Sequence, residues 1–98
     1  MGMNKFIILY KGPRTLPDET HKGWPEWFEA LGTSLVSIGS PMTERAVVGS
    51  DGVSITSLNG YSIIQAESLN DAKTLVNDHP FLQPNSEYAI EIFEIPKA

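Results

Sequence analysis

The sequence predicts an α+β, ferredoxin-like fold, in which two helices pack on one face of a four-stranded antiparallel sheet. Two observations lead to this prediction. The secondary-structure signals follow the order β-α-β-β-α-β, and two of the predicted strands carry apolar side chains on both faces. The chain has 98 residues and neither an internal repeat nor a linker, so we expect a single domain over residues 1–98.

The first strand is predicted at residues 5–10, where KFIILY is a continuous apolar run rich in β-branched and aromatic residues. Because side chains alternate along a strand, Phe6, Ile8 and Tyr10 share one face, and Ile7 and Leu9 share the other. Such a run is typical of a strand that is buried on both sides. The polar segment that follows is rich in proline and is predicted to be a loop.

The first helix is predicted to begin near Pro25, since proline is well accepted in the first helical turn. Apolar side chains then recur at the spacing of one helix face, and Gly39 follows as the expected C-terminal cap. The predicted stripe consists of Trp24, Trp27, Phe28, Leu31, Leu35 and Ile38.

Two further strands are predicted in the middle of the chain. The second covers residues 40–49, and residues 53–56 are expected to form a short return. The pair Asn59–Gly60 is a strong signal for a tight turn. YSIIQA, at residues 61–66, predicts the third strand of the sheet.

The second helix has a clear start and a clear end. Ser68 is its predicted N-cap, with Asp71 three residues later as a short form of the capping box. The helix is expected to stop by about His79, because the residue before a proline is disfavoured in the helical conformation. The buried stripe of this helix is predicted to be Ala72, Leu75 and Val76.

The last strand is predicted at residues 86–95 and completes the sheet. The apolar character of the two faces of this sheet leads to a prediction about assembly. The first and third strands are central in this topology and are apolar on both faces, whereas the helices cover only one face. The other face would expose a large apolar patch. We therefore expect a homodimer that pairs through the sheet face, the common two-fold arrangement. The alternative is that the long loop folds over this face.

Composition narrows the class of protein. The formal net charge is −5 and the seven Lys and Arg residues are scattered, so no nucleic-acid partner is expected. No apolar run approaches the length of a membrane span, and the N-terminal run belongs to a strand and not to a leader. The chain has no cysteine, which favours a reducing compartment and removes thiol chemistry. We predict a soluble, cytoplasmic protein.

His21 and His79 are the candidate catalytic residues, since histidine titrates near neutral pH and suits proton transfer. Each has an ordinary structural alternative. His79 would end a helix, where a positive charge suits the helix dipole. His21 lies in a polar loop, where a solvated side chain is the ordinary case.

Other candidate sites are weaker. Tyr10, Trp24, Trp27 and Tyr61 are candidate ligand-binding residues, because aromatic side chains with a few polar groups are usual in small-molecule pockets. The same aromatic stripe is equally typical of a core. No serine lies in a nucleophile elbow and no glycine-rich phosphate loop is present. No metal site and no cofactor are expected, since the possible ligands lack metal-binding spacing. The residues of suitable ligand type are His21, His79, Asp18, Glu19 and Asp78.

The chain also resembles the YCII-related family, including its DGPF branch. The resemblance is carried by LNGYSIIQAESLNDAKTLVNDHPFL at residues 58–82, YAIEIFEI at 88–95, KFIILYKGP at 5–13 and the W..WFEALG.SLVSIGSPM segment. The turn at Asp51–Gly52 matches the DGPF branch, where Val53 and Ser54 replace its Pro-Phe. The resemblance runs from Phe6 to Ile95 and implies a dimeric α/β-barrel fold with a modest cleft between helices and sheet.

The same resemblance implies a place for chemistry. Some members carry a histidine before or within the first helix and an aspartate just before a Pro-Phe or Pro-Tyr pair, and the two have been proposed as a catalytic pair. His21 falls near the first position, His79 stands at the second, and Asp78 lies one residue earlier. Two hypotheses follow: a small-molecule-binding dimer, with weak proton-transfer activity through His21 or His79, or a non-catalytic dimerisation or protein-interaction module.

Overall fold

The computed structural model describes residues 3–12, 23–42, 46, 48–49, 58–82 and 88–96. Over these residues the predicted order β-α-β-β-α-β is confirmed. Short 3-10 turns follow the two helices, at Gly32–Ser34 and Pro80–Leu82. The elements are β1 (Asn4–Lys11), α1 (Trp24–Leu31), β2 (Leu35–Pro41), β3 (Leu58–Ala66), α2 (Leu69–Val76) and β4 (Ala89–Ile95).

The sheet has the strand order β2-β3-β1-β4, and every neighbouring pair is antiparallel. The two central strands are β1 and β3, as predicted. Phe6 of β1 pairs with Ile64 of β3, and Ile8 pairs with Ile92 of β4. The α+β, ferredoxin-like architecture is therefore confirmed.

The two faces of the sheet differ in burial. Phe6 and Ile8 are fully buried, and Tyr10 on the same face is nearly so. The core on this face includes residues of both helices: Trp27, Phe28, Ala72 and Val76. On the opposite face, which we call the open face, Ile7 and Leu9 keep part of their surface exposed. The alternation read from the sequence of β1 is thus confirmed.

The first helix is shorter than predicted. α1 ends at Leu31, and Gly32 has a φ of 56°, a left-handed conformation that favours glycine and ends the helix. Leu35 and Ile38 belong to β2, so their assignment to a helical stripe was wrong. The run LVSI satisfies a strand period as well as a helix period, and pairing with β3 decides between them.

The second strand lies earlier than predicted, at Leu35–Pro41, and overlaps residues 40–49 only at its end. Gly39 has a φ of 79°, as expected of a cap, but it lies in an irregular part of β2 where the register with β3 shifts. A side chain at Gly39 would collide with the backbone carbonyl of Tyr61. Residues 53–56, with the Asp51–Gly52 turn, lie outside the described part of the chain.

Asn59 and Gly60 do not form a turn, so that prediction was wrong. They lie inside β3, where Gly60 is opposite Tyr10 on one side and Pro41 on the other. A Cβ atom at Gly60 would come within 2.8 Å of the Ser40 carbonyl oxygen. Glycine is required here by close approach of two strands.

The second helix is confirmed in detail. The Ser68 hydroxyl accepts a hydrogen bond from the Asp71 backbone N–H at 3.1 Å, which is the predicted N-cap. Ala72 and Val76 are buried and Leu75 is partly buried. Among the described residues, no helix is long and apolar enough to cross a membrane.

Candidate functional site

The buried position of His79 is the main feature that the sequence did not predict. His79 follows the end of α2, and its backbone N–H donates to the Val76 carbonyl at 3.1 Å. Because Pro80 prevents the helix from continuing, the chain turns and the imidazole enters the core. No part of His79 is exposed to solvent.

Aromatic rings surround the imidazole. The ring centroid of Trp27 lies 4.0 Å from that of His79, and the centroids of Trp24 and Tyr10 lie 4.6 Å and 4.9 Å away. Trp24 and Trp27 are three residues apart on α1, so one helix face presents both. We call this set the His79 cluster: His79, Tyr10, Trp24, Trp27, Phe28 and Phe81.

Hydrogen bonds run through the cluster in one continuous series, which we call the polar chain. The Phe81 backbone N–H donates to His79 Nδ1 at 2.9 Å, and His79 Nε2 lies 3.1 Å from Tyr10 Oη. Tyr10 Oη lies 2.7 Å from Ser62 Oγ, and Ser62 Oγ donates to the Ile38 carbonyl at 2.7 Å. Each of the three buried side chains has two partners, as buried polar groups require.

Burial keeps both ionisable groups of the polar chain neutral. It lowers the pKa of His79 to about 3, although the nearby Asp78 carboxylate acts in the opposite direction. Burial also raises the pKa of the Tyr10 phenol above its ordinary value, against a smaller effect of the hydrogen bond with Ser62. A positively charged His79 that interacts with the dipole of α2 is therefore not the state of this residue at neutral pH.

Asp78 supports the cluster from outside. Its carboxylate Oδ1 accepts a hydrogen bond from Trp27 Nε1 at 3.2 Å, and its side chain is exposed. The contact holds the Trp27 indole against the His79 ring. Asp78 is thus a partner of Trp27 in this structure.

The structure brings together four of the six predicted site residues: Tyr10, Trp24, Trp27 and His79. Tyr61 lies on the open face, opposite Leu9, because side chains alternate along β3 and its neighbour Ser62 bonds Tyr10 on the helix face. His21 lies outside the described residues.

Two members of the arrangement were missed at the level of sequence: Ser62 and Phe81. Ser62 was included only among the serines that lie in no nucleophile elbow, and Phe81 was considered only as part of the Pro-Phe pair of the family resemblance. The alternation of β3 could have placed Ser62 on the helix face, but only the register with β1 shows that it meets Tyr10.

Both ring nitrogens of His79 have hydrogen-bond partners, so the imidazole is held in a fixed orientation. The same contacts leave no nitrogen of His79 for a metal ion. Within the described ranges, no three His, Asp or Glu side chains converge as metal ligands would.

The open face of the sheet carries a second feature of interest. Ile7, Leu9 and Ile63 lie there with part of their surface accessible, and Phe93 of β4, opposite Ile7, is 51% exposed. Exposed apolar surface of this kind often marks an interaction site.

Comparison with known proteins gives one structural relative. The chain is similar to 5-chloro-2-hydroxyhydroquinone dehydrochlorinase (TftG) from Burkholderia phenoliruptrix AC1100, solved in complex with 2,5-dihydroxybenzoquinone. The two share 17% sequence identity with a TM-score of 0.56, over 89% of this chain and 90% of that chain. This likeness shows a shared fold. Neither a protein-family model nor a curated protein sequence matches the chain.

Proposed function

We propose that this protein is a small-molecule-binding homodimer whose ligand contacts the His79 cluster at Trp24. One observation carries the proposal. The side chains of His79, Tyr10 and Ser62 are hydrogen-bonded in series, aromatic rings surround His79, and Trp24, one of these rings, is only partly buried.

Energetics supports a role beyond packing. Removing hydroxyl and imidazole groups from water costs free energy. The hydrogen bonds that these groups form with one another roughly offset this cost and add little net stability. Apolar side chains could fill the same volume without that cost. Small-molecule sites, in contrast, combine aromatic walls with a few fixed polar groups, which is the composition of the His79 cluster.

A planar ring compound is the ligand class that this surface favours. Aromatic side chains stack on flat rings, and the acidic net charge of −5 disfavours strongly anionic ligands. TftG, the relative in fold, was solved with such a compound, 2,5-dihydroxybenzoquinone. The YCII-related assignment belongs to this proposal too, since it depends on the sequence resemblance and the shared fold is compatible with it.

The dimer is proposed to form through the open face. Within the described part of the chain, the helices pack on the other face, and the central strands place Ile7, Leu9 and Ile63 on the open face. Pairing two copies about a two-fold axis would remove this apolar surface from water. The lack of cysteine supports a reducing compartment such as the cytoplasm.

Ligand binding is favoured here over proton transfer by His79, because both of its ring nitrogens are hydrogen-bonded. The catalytic roles of His21 and His79 stay predictions. They are tested by comparing turnover of bound ring compounds by the unaltered protein and by His21→Asn and His79→Gln. The alternative function is a dimerisation or protein-interaction module without a ligand.

The test is isothermal titration of the unaltered protein with 2,5-dihydroxybenzoquinone and a panel of hydroxylated ring compounds. We expect saturable binding by at least one compound, and Trp24→Leu should weaken it about five-fold, since a lost aromatic contact costs on the order of 1 kcal/mol. Tyr61→Leu is the matched control on the open face and should leave affinity unchanged.

Two outcomes contradict the proposal. Absence of binding across the panel favours the interaction module. Loss of binding in Tyr61→Leu with retention in Trp24→Leu moves the ligand to the open face, away from the His79 cluster.

A further inference from the structure

The groups at the two ends of the polar chain determine which atom donates in each of its hydrogen bonds. The Ile38 carbonyl can only accept, so Ser62 Oγ must give its single hydrogen to that carbonyl, at 2.7 Å. In its other contact, Ser62 Oγ therefore accepts, and Tyr10 Oη donates to it. Having given its hydrogen to Ser62, Tyr10 can only accept from His79 Nε2.

The contact at the other end of the polar chain, between Phe81 and His79, requires the same direction of donation. A backbone N–H can only donate, so Nδ1 of His79 accepts from Phe81 and carries no hydrogen. A neutral imidazole has one N–H, which must then be Nε2–H. Two independent contacts at opposite ends of the polar chain thus lead to the same tautomer of His79, with hydrogen on Nε2.

The local backbone of β2 explains why the Ile38 carbonyl, at one end of the polar chain, is available to accept from Ser62. The register between β2 and β3 shifts between Ser37 and Ser40, and Ile38 and Gly39 have no Cα partner in that interval. Gly39 has a φ of 79°, and the Ser37 hydroxyl accepts its backbone N–H at 3.1 Å. This irregular segment turns the Ile38 carbonyl toward Ser62.

We infer that Ser62 is a positioning residue, which acts through the Tyr10 hydroxyl to hold His79 as the Nε2–H tautomer. Its influence on His79 is indirect, because Tyr10 lies between them. The inference deepens the proposed function, since the imidazole so held is the centre of the proposed ligand site. It also makes a claim that can be examined without any ligand.

The first part of the test is a long-range ¹H–¹⁵N NMR spectrum of the unaltered protein at pH 7. A His21→Asn sample identifies which imidazole signals belong to His79. We expect a single tautomer with hydrogen on Nε2, and a slowly exchanging Tyr10 hydroxyl proton close to the Ser62 Hβ protons. Hydrogen on Nδ1, or an average of both tautomers, overturns the inference.

The second part is a double-mutant cycle on the folding equilibrium with Ser62→Ala and His79→Gln. Both residues contact Tyr10 but act on each other only through it, so we expect their effects to be non-additive by about five-fold or more in the folding constant. The same cycle in a Tyr10→Phe background should be additive.

Ser40→Ala is the matched control, because Ser40 lies in β2 and its exposed hydroxyl donates locally to the Pro41 carbonyl. Paired with His79→Gln it should be additive. Additivity of the Ser62 pair overturns the positioning role. Failure of the ring compounds to bind, with tautomer and coupling as expected, would overturn the proposed function and leave this inference standing.

Discussion

Tyr10 and His79 are 69 positions apart in the sequence, and their polar atoms Oη and Nε2 meet at 3.1 Å in the core. Tyr10 arrives from the end of β1, and His79 arrives from the turn after α2. The contact thus joins the sheet to the helix layer through a buried hydrogen bond. It is the relationship on which the proposed site depends.

Acid should destabilise this protein through His79. The pKa of its imidazole is lowered from 6.5 to about 3 in the folded chain, so the unfolded chain binds one more proton between these values. Stability from this group is complete above about pH 6.5 and is lost as the pH falls toward 3, by at most about 1.4 kcal/mol per pH unit. Urea unfolding from pH 3.5 to 7.5 measures it.

His79→Gln provides the comparison for that series, since glutamine lacks a titrating group. The carboxylates contribute equally to both proteins, so the difference between the two curves isolates His79. A constant difference across this range would contradict the account of a buried, neutral imidazole.

Tyr10→Phe should lower the free energy of unfolding by about 1–3 kcal/mol, because it leaves the buried Nε2–H of His79 without an acceptor. Chemical denaturation measures the change. Tyr61→Phe, the same substitution on the open face, should have little effect. Equal effects of the two substitutions would show that the buried hydroxyl of Tyr10 has no special role.

Ser68→Ala should destabilise the protein by about 1 kcal/mol, since the N-cap hydrogen bond to the Asp71 N–H is lost. Ser68→Asn should recover most of this loss, because asparagine is an equally good N-cap. Thermal unfolding of the three proteins tests it. A failure of asparagine to restore stability would argue that Ser68 acts other than as a cap.

Phe93→Glu should dissociate the proposed dimer, since a carboxylate would be buried in an apolar interface without a partner. Sedimentation equilibrium should show a dissociation constant raised by about a hundred-fold or more. Leu69→Glu is the matched control: Leu69 is 50% exposed, close to the 51% of Phe93, but lies on α2 in the other layer. Equal masses for all three proteins would remove the open face from the interface.

Much of the fold could be predicted from local pattern. The apolar run of β1, the Ser68 cap and the stop before Pro80 each depend on neighbours in sequence, and all three are confirmed. Leu35 and Ile38 were misassigned because LVSI is compatible with two periods, and only pairing with β3 decides. Gly60 was misread because a glycine needed for close strand approach looks like a turn glycine in sequence.

The site was harder to predict, for a physical reason. His79, Tyr10 and Ser62 come from three separate elements, and their contacts depend on strand register and on the path of the chain after α2. The sequence could nominate Tyr10, Trp24, Trp27 and His79 by residue type. It could not indicate that His79 is buried and neutral, because burial is a property of the packed structure.

The ligand contact at Trp24 can be observed by NMR chemical-shift mapping of the unaltered protein during titration with a ring compound that binds. We expect the largest changes on the Trp24 and Trp27 indole signals and on the His79 ring, while the signals of Tyr61 and Phe93 stay unchanged. Changes confined to Tyr61 and Phe93 would contradict it, because the ligand would then lie on the open face and the His79 cluster would be core alone.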